Sequence, residues 1–334
     1  GANLEQASLL SADLSRADLT GARLDGAVVV SANLTGAQLA QASLAGANLI
    51  AAVLRHVQGW ESCCLEGANL TGALHTPVGF RQWAKQHGGV FEGPAQILLQ
   101  GLGVWNEWRR GGMNVVLNLR NSQLRLRDLL NADFRQADLR GSDLSEANLH
   151  GADLRGANLE GSSLREANLR GCILGNTDLR NADLRRANLS GQNLIAVLLA
   201  GANLEGACLS KTTLAGCDLS GVNLRGVDFS EADLRGALLR GAILDGVDLF
   251  CAKLAGLDLG GLNFAGVNLG RADLRNAYLV DADLRGANLT DADLRGANLQ
   301  GANLDDALLT GANTEGAQIP IRHRLGRWLG GGRR

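Results

Sequence analysis

From Leu119 to Ile319 the chain places a large apolar residue at every fifth position, with a single lapse. Of the 41 sites in this register, 36 are Leu, three are Phe (Phe134, Phe229, Phe264), the last is Ile319 and only Thr314 is polar. An α-helix, at about 3.6 residues per turn, would carry such a repeat around all of its faces. A flat strand would send alternate leucines to opposite sides. The chain must therefore turn a corner about once per repeat and point every Leu at a common axis.

The unit reads Ala-(Asn/Asp)-Leu-X-Gly, as in Ala157-Asn158-Leu159-Glu160-Gly161 or Ala292-Asp293-Leu294-Arg295-Gly296. The Leu and the small residue two before it are expected to face inward, and the other three positions to face water. Gly next to the Ala (Gly141, Gly151, Gly156, Gly241, Gly286) suits a tight corner that needs positive φ. Burying one Leu contributes about 2 kcal/mol, whereas ordering five residues costs on the order of 5–10 kcal/mol. An isolated unit cannot fold, so stacked layers joined by ladder hydrogen bonds must supply the difference.

These units resemble those of the pentapeptide-repeat family over Ala2 to Leu54 and Leu119 to Ile319. The resemblance implies an all-β solenoid, a right-handed quadrilateral parallel β-helix with four pentads per coil and residues twenty apart directly stacked. At a layer spacing of about 4.8 Å, the long run would then make roughly ten coils, a rod of about 50 Å.

Composition agrees with a narrow interior. Aromatic residues are only 4% of the chain, and Pro77, Pro94 and Pro320 all sit outside the uninterrupted repeats. That is where ladder N–H groups are not required. The 46% hydrophobic content comes largely from inward Leu and Ala, and no run reaches 18 apolar residues. No signal-peptide pattern begins the chain, and the repeat is already in phase at Gly1, which suggests a preceding segment. The six Cys lack metal spacing: Cys172 and Cys217 fall in the inward small-residue slot, while Cys63 and Cys64 are adjacent and would pair only under strain. A reducing, cytoplasmic location is expected.

Four segments follow. Residues 1–74 are N-terminal repeat coils, with one register from Leu4 to Leu54 and a slip of one residue before Leu65. Residues 75–113 are a helical insertion. There, Phe80, Trp83, Ala84 and His87 fall at helical spacing before Gly88-Gly89. Pro94 can open a second helix, with Glu92 at its start, Arg109 and Arg110 at its end, and Gly111-Gly112 beyond. Its apolar stripe would be Ile97, Leu98, Leu102, Trp105 and Trp108. Residues 114–320 are C-terminal repeat coils. Residues 321–334 are a basic tail with five Arg and no acid, read first as a cap on the last coil, with a linker or contact with an anionic surface as alternatives.

Little in the pattern supports catalysis. His56, His75, His87, His150 and His323 are scattered, and none recurs beside a stacked Cys. Stacked carboxylates (Asp133 with Asp153, Asp228 with Asp248, Asp273 with Asp293) arise from repetition alone, and Asn148, Asn168 and Asn188 form an amide ladder without chemistry. No phosphate-binding glycine pattern occurs in a strand-to-helix setting. The expectation is a non-enzyme with no catalytic residues, cofactor, metal or small-molecule substrate.

The outer surface decides between two readings. Some members of the family protect DNA gyrase from quinolones by imitating duplex DNA, which requires an acidic rod. Residues 1–321 carry a net charge of −7, dilute beside duplex DNA with one charge per about 1.7 Å. Many Asp are also followed two positions later by Arg, as in Asp138-Leu139-Arg140 and Asp283-Leu284-Arg285. The mixed surface, poor in stacking aromatics, equally disfavours nucleic-acid binding. By contrast, Leu198, Leu238 and Tyr278 occupy the normally polar slot at intervals of forty, with Phe250 and Val280 taken as neighbours. Trp83, Trp105 and Trp108 in the insertion are docking candidates too, set against plain packing of the insertion on the coil. The favoured reading is a rigid protein-interaction scaffold, as part of a larger complex or homo-oligomer; gyrase-directed DNA mimicry is the alternative.

Overall fold

The structure, a computed structural model, describes residues 1–91, 93–110 and 117–320. Expectations for Glu92, for Gly111-Gly112 and for the tail 321–334 fall outside the described residues. The chain forms two compact units, Gly1–Leu119 and Arg120–Arg334.

The second unit is a β-solenoid. Parallel bridges join most of the Asn/Asp slots to the residue twenty positions on, as in Asp133–Asp153, Asn148–Asn168 and Asp273–Asp293. One turn of chain therefore takes four pentads. The pentad 157–161 shows how its backbone is satisfied. Asn158 N–H donates to Ala137 O on the preceding coil at 2.8 Å. Leu159 and Gly161 donate forward to Asp178 O and Arg180 O at 2.8 and 3.0 Å, while Ala157 N–H closes the preceding turn onto Leu154 O at 2.9 Å. The fifth donor, Glu160 N–H, meets Asn158 Oδ1 at 3.0 Å. Every N–H of the pentad is thus paired, and the Asn/Asp slot supplies the acceptor that the backbone cannot. The corner residue before each Ala has positive φ, 64° at Gly161, as the third residue of a type II turn requires. Leu159 and Leu179 are fully buried, and Ala157 shares their interior.

The first unit repeats this pattern and then departs from it. Through Gln38–Gln58 the bridges span twenty residues, but Ser43–Cys64, Asn48–Asn69 and Val53–Leu74 span twenty-one. The extra residue is taken up by a short 3₁₀ turn, Trp60–Ser62, entered through Gly59 at φ 68°. Helix α1, Phe80–Gln86, buries Phe80 and Ala84. The chain then rejoins the coil, with Val90 N–H on Ala68 O at 2.7 Å and Leu70 N–H on Val90 O at 2.8 Å. The insertion is therefore not helical throughout.

The second helix anticipated from Pro94 is broken in two: α2 is Ala95–Leu99 and α3 is Leu102–Arg110. Gly101, at φ 114°, separates them, a backbone angle no α-helix contains. Ile97, Leu98, Trp105 and Trp108 are all buried. Trp108 Nε1–H donates to Gly72 O at 2.8 Å, which fixes the helical pair on a coil corner. Gly72 has φ 68°, and a Cβ there would lie 2.3 Å from Ile97 Cδ1 and 2.9 Å from Trp108 Nε1.

Gly72→Ala is accordingly expected to destabilise the first unit by about 2 kcal/mol, through overpacking and positive φ together. Denaturant unfolding followed by tryptophan fluorescence checks this; an unchanged midpoint would mean that α2 and α3 do not rest on that corner.

Candidate protein-docking face

The polar slot of the solenoid does more than face water. In nine of the described pentads of the second unit an Asp in this slot has its carboxylate clamped by the arginine two residues on. The same carboxylate accepts the corner N–H, as Asp183 does from Arg185. In Asp183–Arg185 the fork has Nε–H on Oδ1 at 2.8 Å and an Nη2 contact with Oδ2 at 2.5 Å. Asp233–Arg235 and Asp293–Arg295 repeat it at 2.6 Å. Hydrogen bonds from these arginines hold the Asp183, Asp233 and Asp293 carboxyls below the usual carboxylate range. Each fork is neutral, so repetition of Asp does not build an acidic surface. Lowered pKa values stabilise the fold above the unfolded carboxylate value near 4 and are lost as pH falls below it. The unfolding midpoint should stay level from about pH 7 to pH 5 and drop by about pH 3; equal midpoints at the two extremes would show that the forks contribute nothing.

Leu198, Leu238 and Tyr278 occupy the same slot and are exposed, at 49%, 56% and 48%. They lie in one column of the coil stack, alternating with Asp218 and Asp258, as the bridges Asp178–Leu198, Asp218–Leu238 and Asp258–Tyr278 show. Val280 is half-buried beside Tyr278. Phe250 does not join them. It precedes Tyr278 by one twenty-residue turn plus eight residues, which places it on another side of the coil, where it lies over Gly270 with the Arg271 guanidinium 5.9 Å from its ring centroid.

The apolar slots carry a structural cost that the sequence alone does not reveal. At Leu238, the next N–H groups, those of Leu239, Arg240 and Gly241, have no hydrogen-bond partner among the described residues, and the bridge to residue 258 is missing. The same opening follows Leu198, and also Ile173 and Ile243 on other sides. Thr213, Lys253 and Tyr278 also lack a cap but keep the bridge. The openings thus track Leu or Ile in a slot fitted to Asn or Asp. Leu238→Asn should restore the cap and raise stability by about 1 kcal/mol. A melting point below that of the wild type would refute this account of the opening.

The insertion tryptophans are placed differently from the docking reading. Trp105 is fully buried and Trp108 is 4% exposed, so neither is presented to a partner; their rings pack on each other with centroids 5.4 Å apart, and Trp108 reaches the coil at Gly72. Trp83 is half-buried, edge-on to Trp60 at 5.3 Å and stacked on His87 at 4.3 Å. Cys172 and Cys217 are buried, and their thiols donate to Leu149 O and Leu194 O; burial pushes Cys172 up to about 12. All six cysteines are unpaired. The amide ladder is present in part, with Asn168 Nδ2 on Asn148 Oδ1 at 3.1 Å. A cleft of about 310 Å³ is lined by Arg165, Arg185, Arg186, Glu205 and Arg225, three of whose arginines have carboxylate partners. Among the described residues no three His, Cys, Asp or Glu converge as metal ligands, and no helix is long and apolar enough to cross a membrane.

The family model described as pentapeptide repeats matches residues 1–29, 32–58 and, in overlapping segments, 128–319. The chain belongs to the pentapeptide-repeat family. Among solved pentapeptide-repeat structures, it is similar to HetL, involved in heterocyst differentiation regulation in the cyanobacterium Nostoc sp. strain PCC 7120. That similarity is at 35% identity over 66% of this chain and 98% of HetL, with a TM-score of 0.46. It is also similar to a trypsin-treated variant of QnrB1, a plasmid-mediated fluoroquinolone resistance protein, at 16% identity over 62% of this chain and 91% of that one, with a TM-score of 0.19. Rfr23 from the cyanobacterium Cyanothece 51142 matches at 24% identity over 42% and 90%, with a TM-score of 0.17. No curated protein matches this pentapeptide-repeat chain.

Proposed function

We propose that this protein is a non-enzymatic, rigid interaction scaffold. Its coils, in this reading four-sided and right-handed, hold a partner protein on the side bearing Leu198, Leu238 and Tyr278. The observation that carries the proposal is that Leu198 and Leu238 are exposed at a cost to the coil's own hydrogen bonding. Residues that break a local structural rule without a compensating contact are expected where function requires them. The competing reading, a DNA-like rod directed at gyrase, needs a continuous acidic surface, and the Asp–Arg forks remove it.

The test is to purify tagged full-length protein from its native cells as wild type, Leu238→Asp and Arg170→Asp. Asp at 238 can cap the corner N–H, which Leu238 cannot, so the coil is kept. Co-purifying proteins lost with Leu238→Asp but retained with Arg170→Asp are the expected result, whereas identical sets from all three would end the proposal. Quinolone protection in a gyrase supercoiling assay would establish the competing reading instead.

A further inference from the structure

The same side of the solenoid also constrains the chemistry of its occupant. We propose that it binds a basic segment in the polyproline II conformation, with an apolar residue at every third position and Lys or Arg between. This rests on the scaffold reading and sharpens it.

Spacing is the first argument. Leu198, Leu238 and Tyr278 stand two coils apart, about 9.6 Å at a layer spacing of about 4.8 Å. Three residues of polyproline II advance about 9.3 Å and return to the same face. An α-helix returns after seven residues and about 10.5 Å, and so overshoots by roughly 1.8 Å across the two intervals. A β-strand presents one face every two residues, about 6.7 Å, and matches neither interval. An extended ligand of period three therefore seats all three side chains at once. Tyr278 provides the aromatic surface on which such segments pack: its ring lies against Gly260, where a Cβ would come within 3.4 Å of Cδ1 and Cε1.

Charge is the second. Nine of the fifteen Asp in the polar slot of the second unit are neutralised by a fork, and the two that alternate with the apolar residues are among those that are not. Asp218 and Asp258 are followed two positions later by Ser220 and Gly260, whose N–H groups donate to them at 3.0 and 3.1 Å. Both carboxylates are exposed and without an ion pair among the described residues. Arg240, beside Leu238, is exposed and forms no ion pair among the described residues, while Arg235 and Arg275 on the other flank are held by Asp233 and Asp273. Two free carboxylates set midway between apolar contacts call for cations midway between the ligand's apolar residues. Ala200, Ala215 and Ala255 border the column and leave room for the backbone to approach.

The experiment uses the full chain and a fluorescein-labelled peptide of four Leu-Lys-Pro repeats, read by anisotropy at low and at moderate salt. The expected result is saturable binding that weakens with salt, falls at least tenfold in Leu238→Asn and at least fivefold in Asp218→Asn/Asp258→Asn, and is absent for a Leu-Glu-Pro peptide. Asn keeps the corner cap at 218 and 258 and supplies one at 238, so a melting point no lower than that of the wild type verifies that each variant is folded. Equal binding of the Lys and Glu peptides, no binding of either, or indifference to Leu238→Asn would overturn the proposal. If the Lys peptide fails while native partners still depend on Leu238, the occupant is of another class and the scaffold reading stands. If both fail, the scaffold reading falls as well.

Discussion

The hydrogen-bond ladder between coils is what everything else in this protein depends on. Inward leucines supply the burial, but burial alone does not decide where a chain turns. The pentad works because its five N–H groups have five separate acceptors: two on the following coil, one on the preceding coil, one across the corner and one on the side chain of the second residue. Without that last oxygen the corner N–H has nothing to bond, and its neighbours lose their register where Leu or Ile takes the slot. The side chain that looks like surface decoration is thus part of the backbone's own accounting.

Much of this is legible in the sequence. The five-residue spacing of Leu excludes helix and flat strand, and the twenty-residue stacking of Asp133 on Asp153 and Asp273 on Asp293 follows the resemblance that Ala157–Gly161 and its copies carry. The one-residue slip before Leu65 is visible as a change of phase, although the 3₁₀ turn that absorbs it is not. The second helix reads as continuous in the sequence because its apolar stripe runs unbroken across Gly101. Periodicity reports which face is buried, and a single positive φ does not alter it.

The candidate face is harder to read. Sequence places Leu198, Leu238 and Tyr278 correctly in one column but adds Phe250, because proximity along the chain stands in for proximity around the coil. Trp105 and Trp108 draw attention as large aromatic residues, yet nothing in their spacing distinguishes an exposed face from one pressed on a coil corner; the hydrogen bond from Trp108 to Gly72, 36 residues away, settles it. The opened bridges after Leu198 and Leu238 have one available signal, the absence of Asn or Asp at those positions. Its meaning needs the role of the side-chain oxygen, and Thr213 and Lys253 show that the rule depends on the shape of the replacement as well as on the missing acceptor.

Residue-resolved amide hydrogen exchange compares the two kinds of pentad most directly. Leu159 and Leu239 are both buried side chains in equivalent positions, so solvent exposure of the side chain cannot separate them. If the side-chain acceptor holds the ladder, the amides of Leu159 and Gly161 exchange slowly, while those of Leu239 and Gly241 exchange orders of magnitude faster. Equal protection at the two sites would contradict the account.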